Sequence, residues 1–221
     1  MTETRFDAGT EFDRQVDRLV ELGYPALAGR SPEDFRELVA PLRAAAVAGA
    51  AGLPGPAEGR VPFLLVVTRD LVPVEARVPL TTLAGKSKPG SIVEKHFPDG
   101  DLARFDPIKE LAVPAGPAYL LFDVDRGEET RNLAPAKAME VITGQGRLPL
   151  TIDEGLAFVT LHPPALAKNK CFSLVGSRCG DKRVPAIWIS QGAPKLGWCW
   201  WGNPHTWLGS ASAHPVRVGL E

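Results

Sequence analysis

Val61-Pro62-Phe63-Leu64-Leu65-Val66-Val67-Thr68 is an uninterrupted apolar run of strand length, rich in β-branched and aromatic residues. A run of this kind fits a strand buried on both faces rather than a half-exposed one. Downstream, Ala118-Tyr119-Leu120-Leu121-Phe122-Asp123-Val124 has the same character, and the alternating Val74-Glu75-Ala76-Arg77-Val78-Pro79-Leu80 predicts a further strand. Shorter strands are expected at 171–175, 184–190 and 198–201, joined by turns.

On either side of these runs the periodicity changes to helical. Phe12, Val16, Leu19 and Val20 recur at i, i+4, i+7 and i+8, and Gly23 offers a stop. Ser31-Pro32-Glu33-Asp34 supplies a cap, a first-turn proline and early acids to a second helix. Phe35, Leu38, Val39 and Leu42 form its apolar face, and Pro41 is expected to kink or divide it. Residues 49–59 read as a Gly/Pro/Ala loop, and 81–96 as a basic loop carrying Lys86, Lys88 and Lys95. Two later helices are predicted at about 135–143 and 152–162. The second opens on the capping box Thr151-Ile152-Asp153-Glu154 and is closed by Pro163-Pro164.

Strands and helices alternate without a regular βαβ rhythm. That predicts an α+β fold in a single domain, 1–221, with a mixed or antiparallel sheet. A helical N-terminal part, 1–50, would pack as a helical pair on an α+β core at 60–221, with a doubly wound α/β sheet as the alternative.

The chain has 221 residues, 44% of them apolar and 23% charged, with 22 Gly and 21 Pro that favour short elements and many loops. The net charge of -1 hides an asymmetry: residues 1–161 carry 18 basic and 24 acidic side chains, residues 162–221 carry 7 and 2. The basic C-terminal quarter favours a small anionic molecule or an acidic protein surface as partner, and its charge is too sparse for nucleic acid. The N-terminus, Met1-Thr2-Glu3-Thr4-Arg5-Phe6-Asp7, lacks the apolar centre of a signal peptide. The small-apolar stretch 44–57 is too short to span a membrane, so a cytoplasmic protein without membrane association is expected.

All five tryptophans and all three cysteines fall between Cys171 and Trp207. Three chemistries are open to that stretch. Cys171, Cys179, Cys199 and His205 form a Cys₃His set suited to zinc. Their spacing lacks the close ligand pairs of zinc knuckles, and Cys171 stands in an apolar strand, so buried thiols are favoured and no metal or cofactor is predicted. Cys199 or Cys179 with His205 could form a thiolate–imidazole pair, oriented by Asn203 or Asp181, in a hydrolase or transferase. Strand alternation, however, sets Cys199 on the face opposite Trp198 and Trp200, where a packed thiol is the simpler reading. The third reading is an aromatic platform of Trp198, Trp200, Trp207, His205 and Asn203, with Arg178 or Arg183 meeting an anionic group. The alternative for Arg178-Cys179-Gly180-Asp181-Lys182-Arg183, a tight turn between two strands, is a solvated hairpin tip, and it is the favoured reading. Gly85-Lys86-Ser87 lacks the first glycine of a phosphate loop, with Leu80 in its place. Asp123-Val124-Asp125-Arg126-Gly127 lacks the remaining ligands of a calcium loop.

The strings Cys171-Phe-Ser-Leu-Val-Gly-Ser-Arg-Cys-Gly-Asp, Pro194-Lys-Leu-Gly-Trp-Cys-Trp and Gly202-Asn-Pro-His-Thr-Trp-Leu-Gly resemble an actinobacterial family known only as a domain of unknown function. The likeness extends back through Pro149-Leu-Thr-Ile-Asp-Glu-Gly and Pro62-Phe-Leu-Leu-Val-Val-Thr-Arg to Glu11-Phe-Asp-Arg-Gln-Val, and it implies no activity or site residue. The leading expectation is therefore a binding protein for a small anionic or planar ligand. A Cys/His-dependent enzyme and a non-catalytic interaction or regulatory protein stand as alternatives.

Overall fold

The computed structural model describes residues 6–98 and 100–220, so Met1–Arg5 of the N-terminal reading lie outside it. Residues 60–67 form strand β1 (Arg60–Val67), which pairs antiparallel with β4 (Ala118–Asp125) from Arg60↔Asp125 to Val67↔Ala118. On the other side of β4 lie β11 (Ser212–Ala213), which continues to β5 (Leu148–Pro149), and β12 (Arg217–Gly219). This first sheet is antiparallel throughout. β1 is its edge, and the buried Gln15 covers that edge: its Nε2 donates to the Phe63 carbonyl at 3.1 Å and its Oε1 accepts from Leu65 N–H at 2.8 Å. Two backbone groups that would otherwise be buried without partners are thereby satisfied.

The N-terminal part is four helical segments rather than a pair: α1 (Ala8–Glu21), α2 (Tyr24–Leu27), α3 (Pro32–Val39) and α4 (Leu42–Gly49). Gly23 takes φ +83° between α1 and α2, and Pro41 separates α3 from α4. Ser31 and Asp34 form the capping box of α3. α1 packs on β1 and α4 on β4 and β12.

Residues 74–80 are not a strand. They form α5 (Val74–Arg77) and a 3-10 turn, Val78–Leu80. Pro79 cannot donate to a central ladder, and helical geometry buries Val74 and Val78 four residues apart while carrying Arg77 into the interior. The two later helices, α6 (Pro135–Gly144) and α7 (Ile152–Leu161), stand where the sequence places them, and α7 carries the Thr151/Glu154 capping box.

The second sheet is mixed, in the order β10-β6-β8-β9-β2, where β10 is Leu208–Ser210, β6 Cys171–Ser173, β8 Arg183–Ser190, β9 Ala193–Trp200 and β2 Ser91–Ile92. Its inner pairs are antiparallel and its outer pairs parallel. The β8–β9 hairpin turns at Gln191 (φ +54°) and Gly192 (φ +74°), the two positive φ values of a type I′ turn. The segment 178–183 is therefore not the hairpin tip. β7 (Ser177–Arg178) pairs instead with β3 (Asp106–Pro107), in a separate two-stranded sheet. One buried apolar cluster extends from Phe12 in α1 to Ala213 in β11. The fold is α+β, with both antiparallel and mixed sheets. No described helix is long and apolar enough to cross a membrane.

Candidate functional site

Strand β9 carries Trp198 and Trp200 on one face and Gly197 and Cys199 on the other. β8 contributes Trp188, which the register places opposite Lys195 and so on the Gly197 face. β2 covers the outer edge of β9 only as far as Leu196. Beyond that point His96 takes over the edge. Its Nδ1 accepts from Trp198 N–H at 3.1 Å, and its carbonyl accepts from the Trp198 indole Nε1 at 2.6 Å. His96 therefore reaches indoles on both faces, with ring centroids 5.8 Å from Trp188 and 4.7 Å from Trp198. Gly197 makes room for this arrangement, since a Cβ there would stand 2.1 Å from Trp188 Cη2 and 2.8 Å from His96 Nδ1.

The contacts continue in both directions. Trp198 meets Trp200 edge-on at 4.7 Å, Trp188 meets Trp207 at 6.4 Å, and Trp207 meets His205 at 5.2 Å. Six rings thus form an unbroken series, Trp200–Trp198–His96–Trp188–Trp207–His205. Five of them, all but Trp200, line a cleft of about 540 Å³ together with Lys168, Asn169, Cys171 and Ile189. None of the five tryptophans of the chain is fully buried, as expected for amphipathic side chains whose indole N–H seeks a partner.

The polar lining is rich in donors and carries no negative charge. With Nδ1 accepting, neutral His96 carries its proton on Nε2. Trp188 Nε1, Trp207 Nε1, His96 Nε2 and the Lys168 ammonium are donors with no partner among the described residues, and no carboxylate lines the cleft. The His96 imidazole is held below its ordinary pKa by burial and then by the neighbouring Lys95, which favours this neutral form.

The remaining sequence candidates stand elsewhere. Trp200 is 46% exposed and flanks the cleft through Trp198. Asn203 is exposed in the turn after β9, its N–H donating to the Trp200 carbonyl. Arg178 lies over the Trp201 ring at 4.2 Å and donates to the Asp181 carbonyl at 2.7 Å. Arg183 is held by Asp101 and by Asp181 at 2.8 Å, and these carboxylates raise its pKa above the ordinary arginine value. Neither arginine reaches the cleft, because each finds a nearer acceptor. The cation that lines it is Lys168, on the turn closed by the Ala167↔Lys170 bridge with Asn169 at φ +61°.

The thiols and His205 do not assemble. Cys199 Sγ faces Ser173 Oγ at 3.9 Å, and burial pushes its pKa up to about 11. Cys179 donates to Asp181 at 3.2 Å, with its pKa raised by partial burial and by that hydrogen bond. Cys171 reaches the Ala167 carbonyl at 3.9 Å, and burial raises its pKa too. Among the described residues no three His, Cys, Asp or Glu side chains are placed to hold a metal ion, so the Cys₃His set is dispersed. No thiol is hydrogen-bonded to an imidazole there either. A thiolate–histidine pair requires that contact.

His96, Trp188, Lys168 and Asn169 were not singled out in the sequence. Trp188 is the one with a signal, since it shares the tryptophan-dense stretch. His96 and Lys168 reach the cleft only through the β2–β9 edge pairing and the 167–170 turn.

The fold and cleft together define an α+β protein with an aromatic, donor-lined cleft at the edge of a mixed sheet. The chain belongs to the family of unknown function DUF5701, whose model matches residues 18–219. No curated protein and no solved structure matches it.

Proposed function

We propose that the protein binds a small planar molecule in the cleft between His96, Trp198, Trp188, Trp207 and His205. The observation that carries this reading is the unbroken series of ring contacts along an open cleft of about 540 Å³. That volume lies in the range of small-molecule sites, which combine apolar walls with a few polar groups. Exposed indole faces offer stacking area, and each well-placed ring pair is worth about 0.5–1.5 kcal/mol beyond burial.

The role is binding rather than thiol catalysis. A nucleophilic cysteine needs a lowered pKa and a base within hydrogen-bond reach, and all three thiols here are shifted the other way. The three free cysteines support the expected cytoplasmic setting.

Titration with 2-naphthoate, AMP and riboflavin, followed by quenching of tryptophan emission, tests the reading. Saturable quenching by at least one of them in wild type, lost in Trp188→Ala with the circular dichroism spectrum unchanged, is expected. Quenching that survives in Trp188→Ala, Trp198→Ala and Trp207→Ala alike would place the ligand elsewhere and refute the proposal.

A further inference from the structure

We infer that the cleft selects planar anions over planar cations, and that Lys168 sets this sign. The inference rests on the binding reading above and names the class of ligand. Aromatic walls alone favour the opposite choice, because the faces of indole rings attract cations. Cation selection therefore requires that nothing else at the site carry positive charge.

Here the lining reverses that preference. Four unpartnered donors (Trp188 Nε1, Trp207 Nε1, His96 Nε2 and Lys168 Nζ) line the cleft beside two neutral groups that can also accept, the Asn169 amide and the His205 imidazole, and no Asp or Glu lines it. An ammonium placed against these rings would meet no acceptor charge and would face Lys168. A carboxylate or phosphate on a planar ring would instead meet the Lys168 ammonium and these donors.

Lys95, beside His96, does not line the cleft, and Lys170 and Lys195 are engaged elsewhere, which leaves Lys168 as the cation on its wall. Lys170, two residues on, lies 3.4 Å from Glu58 and 3.9 Å from Glu128. Lys195, opposite Trp188, donates to Ser91 Oγ at 2.6 Å. Lys168 is exposed and makes no ion pair among the described residues.

The test is calorimetric titration of the full chain with three probes on one ring: 2-naphthoate, 2-naphthamide and (2-naphthyl)methylammonium. Because an exposed charge pair contributes modestly and the cation suffers the matching repulsion, the anion is expected to bind roughly tenfold more tightly than the cation. The amide should fall between them, and high salt should shrink the gap. In Lys168→Gln the three affinities converge, and in Lys168→Glu their order inverts. Equal affinities in wild type, a cation that binds best, or a preference unchanged in Lys168→Gln would overturn the inference while leaving planar binding intact. Absence of heat with all three probes, together with no quenching in the preceding titration, would remove the binding reading itself.

Discussion

Gly197 and His96 show how the cleft depends on single residues. A Cβ at position 197 meets the far end of the Trp188 ring, which can shift, rather than a fixed backbone atom. Gly197→Ala is therefore expected to cost only about 1–3 kcal/mol of stability. It should nonetheless weaken planar ligands about tenfold or more by swinging Trp188 out of the series. Chemical denaturation and the quenching titration measure the two effects separately. His96 gives a pH signature. Burial holds its pKa, like that of His162, below the ordinary 6.5, so the unfolded chain takes up the proton first as pH falls. The resulting stability is fully present above about pH 6.5 and declines as pH drops through that value. Thermal melts at pH 7.5 and 5.5 should show the lower melting temperature at 5.5. The difference should shrink in His96→Asn, whose amide oxygen can still accept the Trp198 N–H. Thiol reactivity follows from burial in the same way. With Cys199 at about 11 and Cys171 buried, native protein at neutral pH should react slowly with iodoacetamide, and first at the partly exposed Cys179, as peptide mapping would show. Rapid labelling of Cys199 would revive the catalytic alternative.

Among the elements, capping and turn chemistry were legible because they act over three or four residues. The box at Thr151 is formed as its sequence implies: Thr151 Oγ1 accepts from Glu154 N–H at 3.2 Å, and Glu154 Oε2 from Thr151 N–H at 2.7 Å. Thr151→Ala should cost about 1–2 kcal/mol in denaturant unfolding, the upper part of the range for a cap, because the site is buried. The β8–β9 turn offers a gain. Gln191 adopts φ +54°, where asparagine is better tolerated, so Gln191→Asn should raise the melting temperature slightly. Segment 74–80 misled because its alternation of apolar residues also satisfies a helix with Val74 and Val78 inward. Pro79 and the burial of Arg77 decide between the two. The hairpin at 178–183 misled because turn residues mark a reversal without naming the strand that pairs.

At the scale of the molecule, two buried charge groups tie separate elements together. Arg77, 1% exposed, joins Asp153 of α7 and donates to the Val67 carbonyl of β1 at 2.7 Å, while Arg69 reaches Asp153 at 2.9 Å. Glu154 holds Arg217 of β12 at 2.6 Å and accepts from Tyr119 Oη at 3.1 Å. Removing Arg77 leaves the buried Asp153 with Arg69 alone and the Val67 carbonyl without its donor, so Arg77→Met should cost about 3 kcal/mol in urea unfolding, the lower end for a broken buried pair, with cleft residues untouched. The sequence by itself determined the α+β class, the strands at β1 and β4, the later helices and their caps, and the C-terminal quarter as aromatic and basic. These follow from periodicity and local chemistry, which the chain carries residue by residue. Only the tertiary structure decided that Arg178 and Arg183 turn to Asp181 and Asp101, that the thiols and His205 stay apart, and that His96 and Lys168 complete the cleft. Strand order and edge pairing bring His96 to Trp198 and Asp101 to Arg183 across 102 and 82 positions, and periodicity does not encode which of several acceptors, near or far in sequence, each cation will find.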